Sequence, residues 1–392
     1  MSNHGPGDEA AGLNERVRSL VLTSGLTNAE FAEGIGIDPT KLSKSLSGAR
    51  RFTSFELAAI ANRARTTVDW LLTGVAPDRA LIAMRTPPDV VDDVLVLAER
   101  RVRALAEVEA TLDRLQDRLP RPHEPSVVAG EPFALDAESM ADRLLAAVRG
   151  TGQNEAFRAD PAGVCETLLG VNVAFEPLGP GFDGIALNSA ASRVILVNTS
   201  IPWSRQRFTL AHEVGHVLAG DGRESGVCID EDVMAGQRVE ENRANVFAAC
   251  LLMPRLDLCQ DLQNTDGVDD ATFGRLVGKY RVSASAMAWR LKNLGLVDAA
   301  RRARLGSMRP AEAARLGGWQ PELGRLAVDQ RRSRAPRILA ERTILAFADG
   351  TVSARLLATV LNADPDEVLA VWQELSQAAT GVDEAREAVF VP

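Results

Sequence analysis

The amino-acid sequence predicts a multi-domain protein in which one α+β domain lies between two helical regions. We expect an all-α helix-turn-helix domain in residues 10–80, an α+β domain with a small sheet in residues 135–300, and a mostly helical region in residues 301–392. Three observations lead to this division. The chain of 392 residues exceeds what one hydrophobic core usually holds. Short helices separated by turn signals fill the N-terminal part, and the strand-like apolar runs lie in the middle of the chain.

The composition is typical of a globular protein in a reducing compartment. Hydrophobic residues make up 46% of the chain and charged residues 25%. No apolar run is long enough to span a bilayer, and the N-terminus lacks the basic start and apolar core of a secretory signal. The four cysteines have no C-x-x-C spacing, which favours buried free thiols. We therefore expect a cytoplasmic protein with no membrane partner.

The N-terminal domain is predicted from its helix-start and helix-stop signals. One short helix follows the cap signal formed by Thr27 and Asn28. The next has Asp38 as its N-cap and Pro39 in its first turn, and Gly48 ends it. A short helix, a tight turn and a second short helix form the helix-turn-helix motif.

A long helix is predicted within residues 88–119, followed by a linker in residues 120–134. The apolar residues of the helix follow a 3–4 alternation that Arg101 interrupts. Such a stripe is typical of a coiled coil, which would make residues 90–119 a homodimer interface, and equally of a helix packed on its own domain. The linker is predicted because residues 120–133 carry four prolines and little periodic pattern.

The α+β domain is predicted from three short apolar runs between helical segments. The predicted strands are VNVAF at 171–175, GIALN at 184–188 and RVILVN at 193–198. Helices are expected at about 136–149, 160–169 and 203–219. Residues 221–238 are polar and predict a loop, after which a second apolar helix is expected at about 239–252.

The helix expected at 203–219 contains two of the four histidines of the chain. His212 and His216 are four residues apart, so their imidazoles can point from one helix face towards a common metal ion. Glu213 lies beside them and completes the H-E-x-x-H pattern, in which the histidines bind Zn²⁺ and the glutamate acts as general base. A buried helix with three such polar groups is costly without a bound metal. The pattern therefore predicts a catalytic zinc site.

The third metal ligand is predicted to come from the segment VEENRANVFAACLLMP. Glu241 and Asn245 are four residues apart on this helix, so both can face the metal. We expect Glu241 to bind zinc and Asn245 to hydrogen-bond a ligand histidine. Glu240 is the alternative ligand, but it points about 100° away on the helix.

These two segments, QRFTLAHEVGH and EENRANVFAACLLMP, resemble the ImmA/IrrE family of zinc metallopeptidases. The resemblance covers about residues 135–300 and implies a gluzincin-like zinc endopeptidase in which Glu241 is the third ligand. It also implies a protein substrate, since members typically cleave a helix-turn-helix repressor and thereby release stress or mobile-element genes.

The segment from Thr27 to Gly74 resembles XRE-type helix-turn-helix domains. That resemblance implies binding to double-stranded DNA through the second helix of the motif. Residues 13–75 contain eight Lys/Arg and six Asp/Glu, a local charge of +2 against −9 for the whole chain. The residues expected near bases or phosphates are Asn28, Thr40, Lys41, Ser43, Lys44, Arg50 and Arg51, of which the last two suit phosphates.

Three functions fit these motifs. The first is a DNA-binding transcription regulator fused to a zinc endopeptidase that acts in a stress or mobile-element response. The second is an XRE-type transcription factor that senses an acyl-CoA or another metabolite through a protease-like domain that does not cleave. The third is an antitoxin-like binding module. The presence of Glu213 with all three metal ligands favours the enzyme, because a sensor needs no general base.

Overall fold

The structure is a computed structural model that describes residues 6–24, 26–64, 71–72, 81–84, 92–115, 133–180, 182–189, 192–221, 232–263, 265 and 267–375. The chain divides into two compact units, Met1–Arg79 and Ala80–Pro392. Within the described ranges, no helix combines the length and the apolar character that crossing a membrane requires.

The N-terminal unit is helical. It contains α1 (Pro6–Thr23), α2 (Asn28–Gly34), α3 (Pro39–Leu46) and α4 (Ser54–Arg63). Its core is centred on Phe31, Leu42 and Ile60, which are almost completely buried. Burial of these side chains removes apolar surface from water and holds the short helices together, because helices of this length are marginal by themselves.

Helices α2 and α3 begin at the caps that the sequence predicts. Thr27 Oγ1 accepts a hydrogen bond from the Glu30 backbone, and the Glu30 carboxylate accepts one from the Thr27 backbone, which forms a capping box. The Asp38 carboxylate accepts hydrogen bonds from the first backbone amides of α3. Gly36 has φ 69° in the turn between the two helices, a conformation that glycine adopts without strain.

The C-terminal unit contains a four-stranded sheet and most of the helices. The strands are β1 (Leu81–Met84), β2 (Asn172–Glu176), β3 (Gly184–Asn188) and β4 (Arg193–Asn198), in the order β1-β3-β4-β2. Strand β4 is antiparallel to β3 and parallel to β2, and β1 is antiparallel to β3. The three strands predicted from the sequence are confirmed to within one residue, whereas β1 was not predicted.

The helices of the C-terminal unit are numbered in chain order. They are α5 (Asp92–Leu115), α6 (Phe133–Gly150), α7 (Asn154–Ala159), α8 (Pro161–Leu169), α9 (Trp203–Ala219), α10 (Asp232–Leu252), α11 (Arg255–Leu262), α12 (Asp270–Tyr280), α13 (Ala284–Asn293), α14 (Ala299–Gly306), α15 (Pro310–Gly317), α16 (Gln320–Asp329), α17 (Arg337–Ala348) and α18 (Ala354–Leu361). Helix α10 begins before the expected residue 239, in the segment where the sequence predicts a loop.

The sheet is covered by helices on both faces. Alternate residues of β4 divide between two hydrophobic cores: Val194 and Leu196 pack with α5 and α17, whereas Ile195 and Val197 pack with α9 and α10. Because successive side chains of a strand point to opposite faces, α5 and α9 lie on opposite sides of the sheet. This arrangement fixes α9, the helix with the histidine motif, directly on the sheet.

Helix α5 packs on its own domain, so the coiled-coil prediction for residues 90–119 is wrong for the described residues 92–115. The apolar stripe of the helix is buried against the sheet and α17 within one chain: Ala98, Val102, Leu105, Val108 and Leu112. A stripe covered in this way cannot form the seam of a dimer. A 3.6-residue period is the same for a helix in a dimer interface and for a helix packed on its own domain, so the period alone could not distinguish them.

Arg101, which interrupts the stripe, joins three elements of the C-terminal unit. Its Nε donates to Glu176 Oε1 at 2.7 Å, at the end of β2. Its Nη atoms donate to the carbonyl oxygens of Thr359 and Val360 in α18. The half-buried guanidinium therefore connects α5, the sheet and α18 through three hydrogen bonds to oxygen atoms.

The region 301–392 is not separate from the α+β domain in its described part. Helix α15 packs on α12 at Gly274 and Gly317, where a Cβ on Gly274 would lie 2.7 Å from the Gly317 nitrogen. Arg334 donates to both carboxylate oxygens of the buried Glu166 in α8, at 3.0 and 2.7 Å. A domain boundary at residue 300 would cut these contacts. The predicted linker 120–134 lies almost entirely outside the described residues.

Candidate metal centre

Helix α9 is positioned by polar contacts at its start and by a close helix approach in its middle. Gln206 Nε2 donates to the carbonyl oxygens of Ile201 and Gln330, at 2.8 and 2.7 Å. Farther along, a Cβ on Gly215 would lie 2.9 Å from the Phe247 ring and 3.3 Å from the Ala244 Cα. The missing side chain at Gly215 thus lets α10 approach α9 closely, which brings Glu241 to the two histidines.

Three side chains meet between α9 and α10. The Nε2 atoms of His212 and His216 are 3.0 Å apart. Glu241 places one carboxylate oxygen 3.2 Å from His212 Nε2 and the other 3.3 Å from His216 Nε2. Both histidines are buried, with 1% and 3% of their surface exposed, whereas Glu241 is partly open to solvent. The three residues that the sequence singled out as ligands are together.

The arrangement of these donor atoms fits a divalent metal ion. Ligand atoms about 2.0–2.1 Å from a tetrahedral zinc ion lie roughly 3.3 Å from one another. The separations of 3.0, 3.2 and 3.3 Å between the two imidazole nitrogens and the carboxylate oxygens are close to this value. Two nitrogens and one carboxylate are also a set that zinc accepts in catalytic sites, with a fourth position left for water. The residues present therefore fit a metal site.

Asp221 holds His216 in the orientation that a metal ligand needs. Nδ1 of His216 donates to Asp221 Oδ2 at 2.8 Å, so Nε2 is directed towards His212 and Glu241. Arg243 pairs with the other carboxylate oxygen of Asp221. The contact between a carboxylate and the outer nitrogen of a ligand histidine fixes the tautomer and strengthens the ligand. Sequence reasoning missed Asp221, although its place five residues after the second histidine was the available signal.

Charge is concentrated at this centre. Burial opposes a charge on the His216 imidazole, but its hydrogen bonds with Asp221 and Glu241 raise its pKa to about 10. Burial likewise opposes a charge on Glu241, but hydrogen bonds with His212 and His216 lower the pKa of its carboxyl to about 2. The carboxylates of Asp221 and Glu241 both face the His216 ring and favour a positive charge there, which a proton or a divalent cation can supply.

The carboxylate of Glu213 lies between α9 and the start of β3. The residue is fully buried, with 0% of its surface exposed. A Cβ on Gly184 would lie 3.8 Å from Glu213 Oε1 and only 2.5 Å from Thr209 Cγ2. Glycine at the start of β3 thus allows α9 to pack tightly there and leaves Glu213 next to the strand. Glu213 directly follows the candidate ligand His212 in α9, and its charge acts on the His216 imidazole.

Asn245 and Glu240 differ in their surroundings from the three ligand residues. Asn245 is half-buried and lines a cavity beside the site, and in the described part of the chain it is Asp221 that bonds to His216. The expected hydrogen bond of Asn245 to a ligand histidine stays a prediction. Glu240 is exposed and is absent from the group of convergent donors.

In the N-terminal unit, α3 presents polar residues on its exposed side. Leu42, Ser45 and Leu46 are buried. The exposed residues of α3 include Thr40, Lys41, Ser43 and Lys44, and Asn28 at the start of α2 is exposed as well. Arg51 is exposed too. Arg50 donates to Ser45 Oγ at 3.0 Å and to Glu56 Oε1 at 2.8 Å, and its expected phosphate contact stays a prediction.

Comparison with known proteins gives matches that include the centre. Residues 167–292 match the family model described as the IrrE N-terminal-like domain. The radiation response metalloprotease IrrE of Deinococcus deserti is 35% identical over 167 residues, which are 42% of this chain and 56% of that protein. The protein of the same name from Deinococcus radiodurans is 36% identical over 129 residues, which are 31% of this chain and 37% of that protein.

The family model covers the candidate metal centre, and the two relatives match only part of this chain. The chain spans about half of the length of the first of these curated relatives and less of the second. The N-terminal unit lies outside the residues that the family model covers. The part of the chain that carries His212, His216 and Glu241 matches the model of the IrrE N-terminal-like domain, and the chain is similar in sequence to two radiation response metalloproteases.

Proposed function

We propose that this protein is a zinc-dependent endopeptidase that also binds DNA and regulates transcription in a stress or mobile-element response. The observation that carries the enzymatic part is the convergence of His212, His216 and Glu241, with the buried Glu213 beside them, within an IrrE N-terminal-like domain. The H-E-x-x-H spacing and the glutamate on a second helix are those of a gluzincin-like site.

The residues of the site have distinct tasks in this proposal. His212, His216 and Glu241 hold the metal, and Asp221 orients His216 through Nδ1. When bound, a zinc ion would lower the pKa of a water molecule and polarise the peptide carbonyl. Glu213 would take the proton from the attacking water and deliver it to the amine that leaves. Burial of His212, His216 and Glu213 keeps bulk solvent away from these side chains, which strengthens their electrostatic interactions.

The DNA-binding part of the proposal rests on α3. A helix with a buried apolar side and an exposed side carrying Thr40, Lys41, Ser43 and Lys44 is suited to the major groove of double-stranded DNA. Arg51 is suited to a phosphate contact, and Asn28 at the start of α2 is suited to contact the DNA backbone. We leave Arg50 out of the contact set because it is engaged with Glu56.

We further propose that the substrate is a separate cytoplasmic protein, such as a helix-turn-helix repressor. The relatives are named for a radiation response, which supports a role in a stress response for this chain. Cleavage in the predicted linker 120–134 would be an inefficient switch, because the prolines of that segment resist the extended pairing by which proteases grip substrates.

The test is a comparison of new protein N-termini in cells that express the full chain or its Glu213→Gln variant. We expect a small set of protein fragments to form with the wild-type chain and to be absent with the variant. Both proteins should contain equal amounts of zinc, because the substitution leaves the three ligands intact. Identical fragments in both cells would exclude the proposed peptidase activity, and fragments ending within 120–134 would identify self-cleavage instead.

A further inference from the structure

A cavity of about 700 Å³ lies beside the candidate metal centre in the C-terminal unit. Phe208 of α9 and Asn245 of α10 line it. Phe208 precedes His212 by four residues, and Asn245 follows Glu241 by four. One turn of helix advances about 6 Å along the axis, so the cavity begins one turn away from the metal ligands. The cavity and the candidate metal ligands are therefore about one helical turn apart along both α9 and α10.

The third wall of the cavity is one face of α13. Ala286, Trp289, Arg290 and Asn293 line the cavity at the spacing i, i+3, i+4 and i+7, which is one face of a helix. Trp289 has 45% of its surface exposed. The Arg302 guanidinium carbon lies 4.3 Å from its ring centroid and the Lys292 Nζ lies 4.9 Å from it. These cations hold the indole ring in place beside the opening.

Among the described residues, slightly more than half of those that line the cavity are apolar, and the two charged ones are positive. The apolar residues that line the cavity include Phe208, Val246, Ala249, Met253 and Trp289. The charged lining residues are Arg205 and Arg290. The volume falls within the range of about 300–1,000 Å³ of small-molecule and side-chain binding sites. Such a lining favours large apolar groups.

The two arginines make the cavity unfavourable for basic side chains. Arg290 is almost completely buried, with 8% of its surface exposed, and its Nε donates to the Met253 carbonyl at 3.0 Å. Its Nη2 lies 4.0 Å from the Glu138 carboxylate, which is beyond hydrogen-bond distance. Arg205 pairs with Asp183 at 2.7 Å. A lysine or arginine of a substrate would meet these two cations, and the described lining residues would offer it no carboxylate.

We propose that this cavity between α9, α10 and α13 is the substrate subsite that receives large apolar side chains next to the scissile bond and excludes lysine and arginine. The proposal rests on the proposed peptidase function and specifies its substrate class: protein segments with large apolar residues at the cleavage position. Phe208, Ala249, Ala286 and Trp289 are the residues that set this selectivity.

The cleavage test uses the zinc-loaded full chain and internally quenched peptides in which one position at a time carries each amino acid. We expect the wild-type protein to prefer Leu, Met and Phe over Lys and Arg at one position next to the cleaved bond, by tenfold or more in kcat/KM. Ala286→Leu and Ala249→Leu partly fill the cavity. Each should lower kcat/KM at least tenfold for the peptide with Phe at that position and leave kcat/KM for the peptide with Ala nearly unchanged. The reason is that even one methylene in an apolar pocket changes discrimination by about 10–200-fold.

Ala303→Leu is the matched control, because Ala303 is an exposed residue of α14 outside the cavity. It should retain the wild-type preference. Cleavage with no apolar preference, or an equal effect of all three substitutions, would overturn the subsite and leave the peptidase proposal standing.

If no peptide is cleaved, that outcome counts against the peptidase proposal and not against the subsite. A binding test then shows whether the cavity prefers apolar side chains. Fluorescence polarisation measures how tightly the zinc-loaded Glu213→Gln protein binds two labelled decapeptides. One contains leucine, and the other has lysine in place of that leucine. We expect the leucine peptide to bind at least tenfold more tightly, and this difference to disappear when Ala286→Leu is added. Equal binding of the two peptides would overturn the subsite.

Discussion

His216 Nδ1 donates a hydrogen bond to Asp221 at 2.8 Å, while Nε2 of the same ring faces His212 and Glu241. The two nitrogens of one imidazole thus have separate partners, one that orients the ring and one position for a metal ion. Arg243 in α10 in turn holds Asp221, so the two helices that supply the ligands also share this contact. The arrangement makes Asp221 a positioning residue for the metal centre.

Replacement of Asp221 should weaken metal binding without removing a ligand. Asp221→Asn keeps the shape of the side chain but removes the charge that fixes the imidazole, and the loss of such a partner typically costs 10–100-fold in metal affinity. Competition with a zinc chelator measures the dissociation constant for the full chain. Glu240→Gln, which removes a carboxylate from an exposed neighbour of Glu241, is the control and should bind zinc as the wild type does.

The third ligand can be identified by a pair of substitutions on adjacent residues. Glu241→Ala removes the carboxylate that lies 3.2 and 3.3 Å from the two imidazoles, and we expect purified protein to lose most of its zinc. Glu240→Ala should retain one zinc ion per chain. Metal analysis by mass spectrometry gives both numbers, and equal zinc content in the two variants would mean that another residue is the third ligand.

Local patterns in the sequence predict much of the fold and nearly all of the centre. The strands β2, β3 and β4 and the helix with the histidines are short-range features, determined by apolar periodicity and by the i, i+4 spacing. Glu241 could be chosen over Glu240 because a helix directs adjacent side chains about 100° apart. The resemblance of these segments to a known family pointed to the same residue.

Two of the features that were missed, β1 and the partner of α5, depend on contacts distant in sequence, and the third is an ion pair that no periodicity marks. Strand β1 is four residues long and pairs with β3, which is about 100 residues away, so no local pattern marks it. The apolar stripe of α5 has the same period whether its partner is a second chain or the sheet. Arg50 is basic and near the DNA-binding motif, but its ion pair with Glu56 becomes visible only in three dimensions.

The packing of α5 on the sheet predicts a stability effect and no change of oligomeric state. Leu105 is completely buried in the core between α5, the sheet and α17. Leu105→Ala should lower the free energy of unfolding of the C-terminal unit by about 2–5 kcal/mol. Denaturant unfolding gives this value, and light scattering gives the mass. If the substitution changes the mass of the particle and hardly lowers its stability, the apolar stripe of α5 is a dimer interface. Leu97→Ala is the control, since Leu97 is exposed on the same helix.

Cysteine reactivity should separate a buried thiol from a more accessible one. Burial, the largest effect, together with the charges of Glu166 and Asp160, raises the pKa of Cys165 to about 12. The thiolate is the reactive form, so between pH 7 and pH 9 Cys165 should remain almost entirely protonated and unreactive. Alkylation with iodoacetamide at pH 8, followed by peptide mass spectrometry, should modify the half-buried Cys259 first and Cys165 only after unfolding. Equal rates in the native protein would contradict the placement of Cys165.

The DNA-binding proposal can be tested at Lys44, which is exposed in the last turn of α3. If Lys44 contacts a phosphate, Lys44→Ala removes one released counterion and lowers the slope of log K against log[salt] by about 0.9. Fluorescence polarisation with the promoter region of the protein's own gene, measured at several salt concentrations, gives that slope.

Lys292→Ala removes the same charge from the C-terminal unit and should leave the slope unchanged. An equal fall in both variants would mean that the charge of the whole chain, and not the exposed side of α3, determines the affinity. If the wild-type chain binds the promoter region no better than unrelated duplexes at every salt concentration, the N-terminal unit is not a sequence-specific DNA-binding domain.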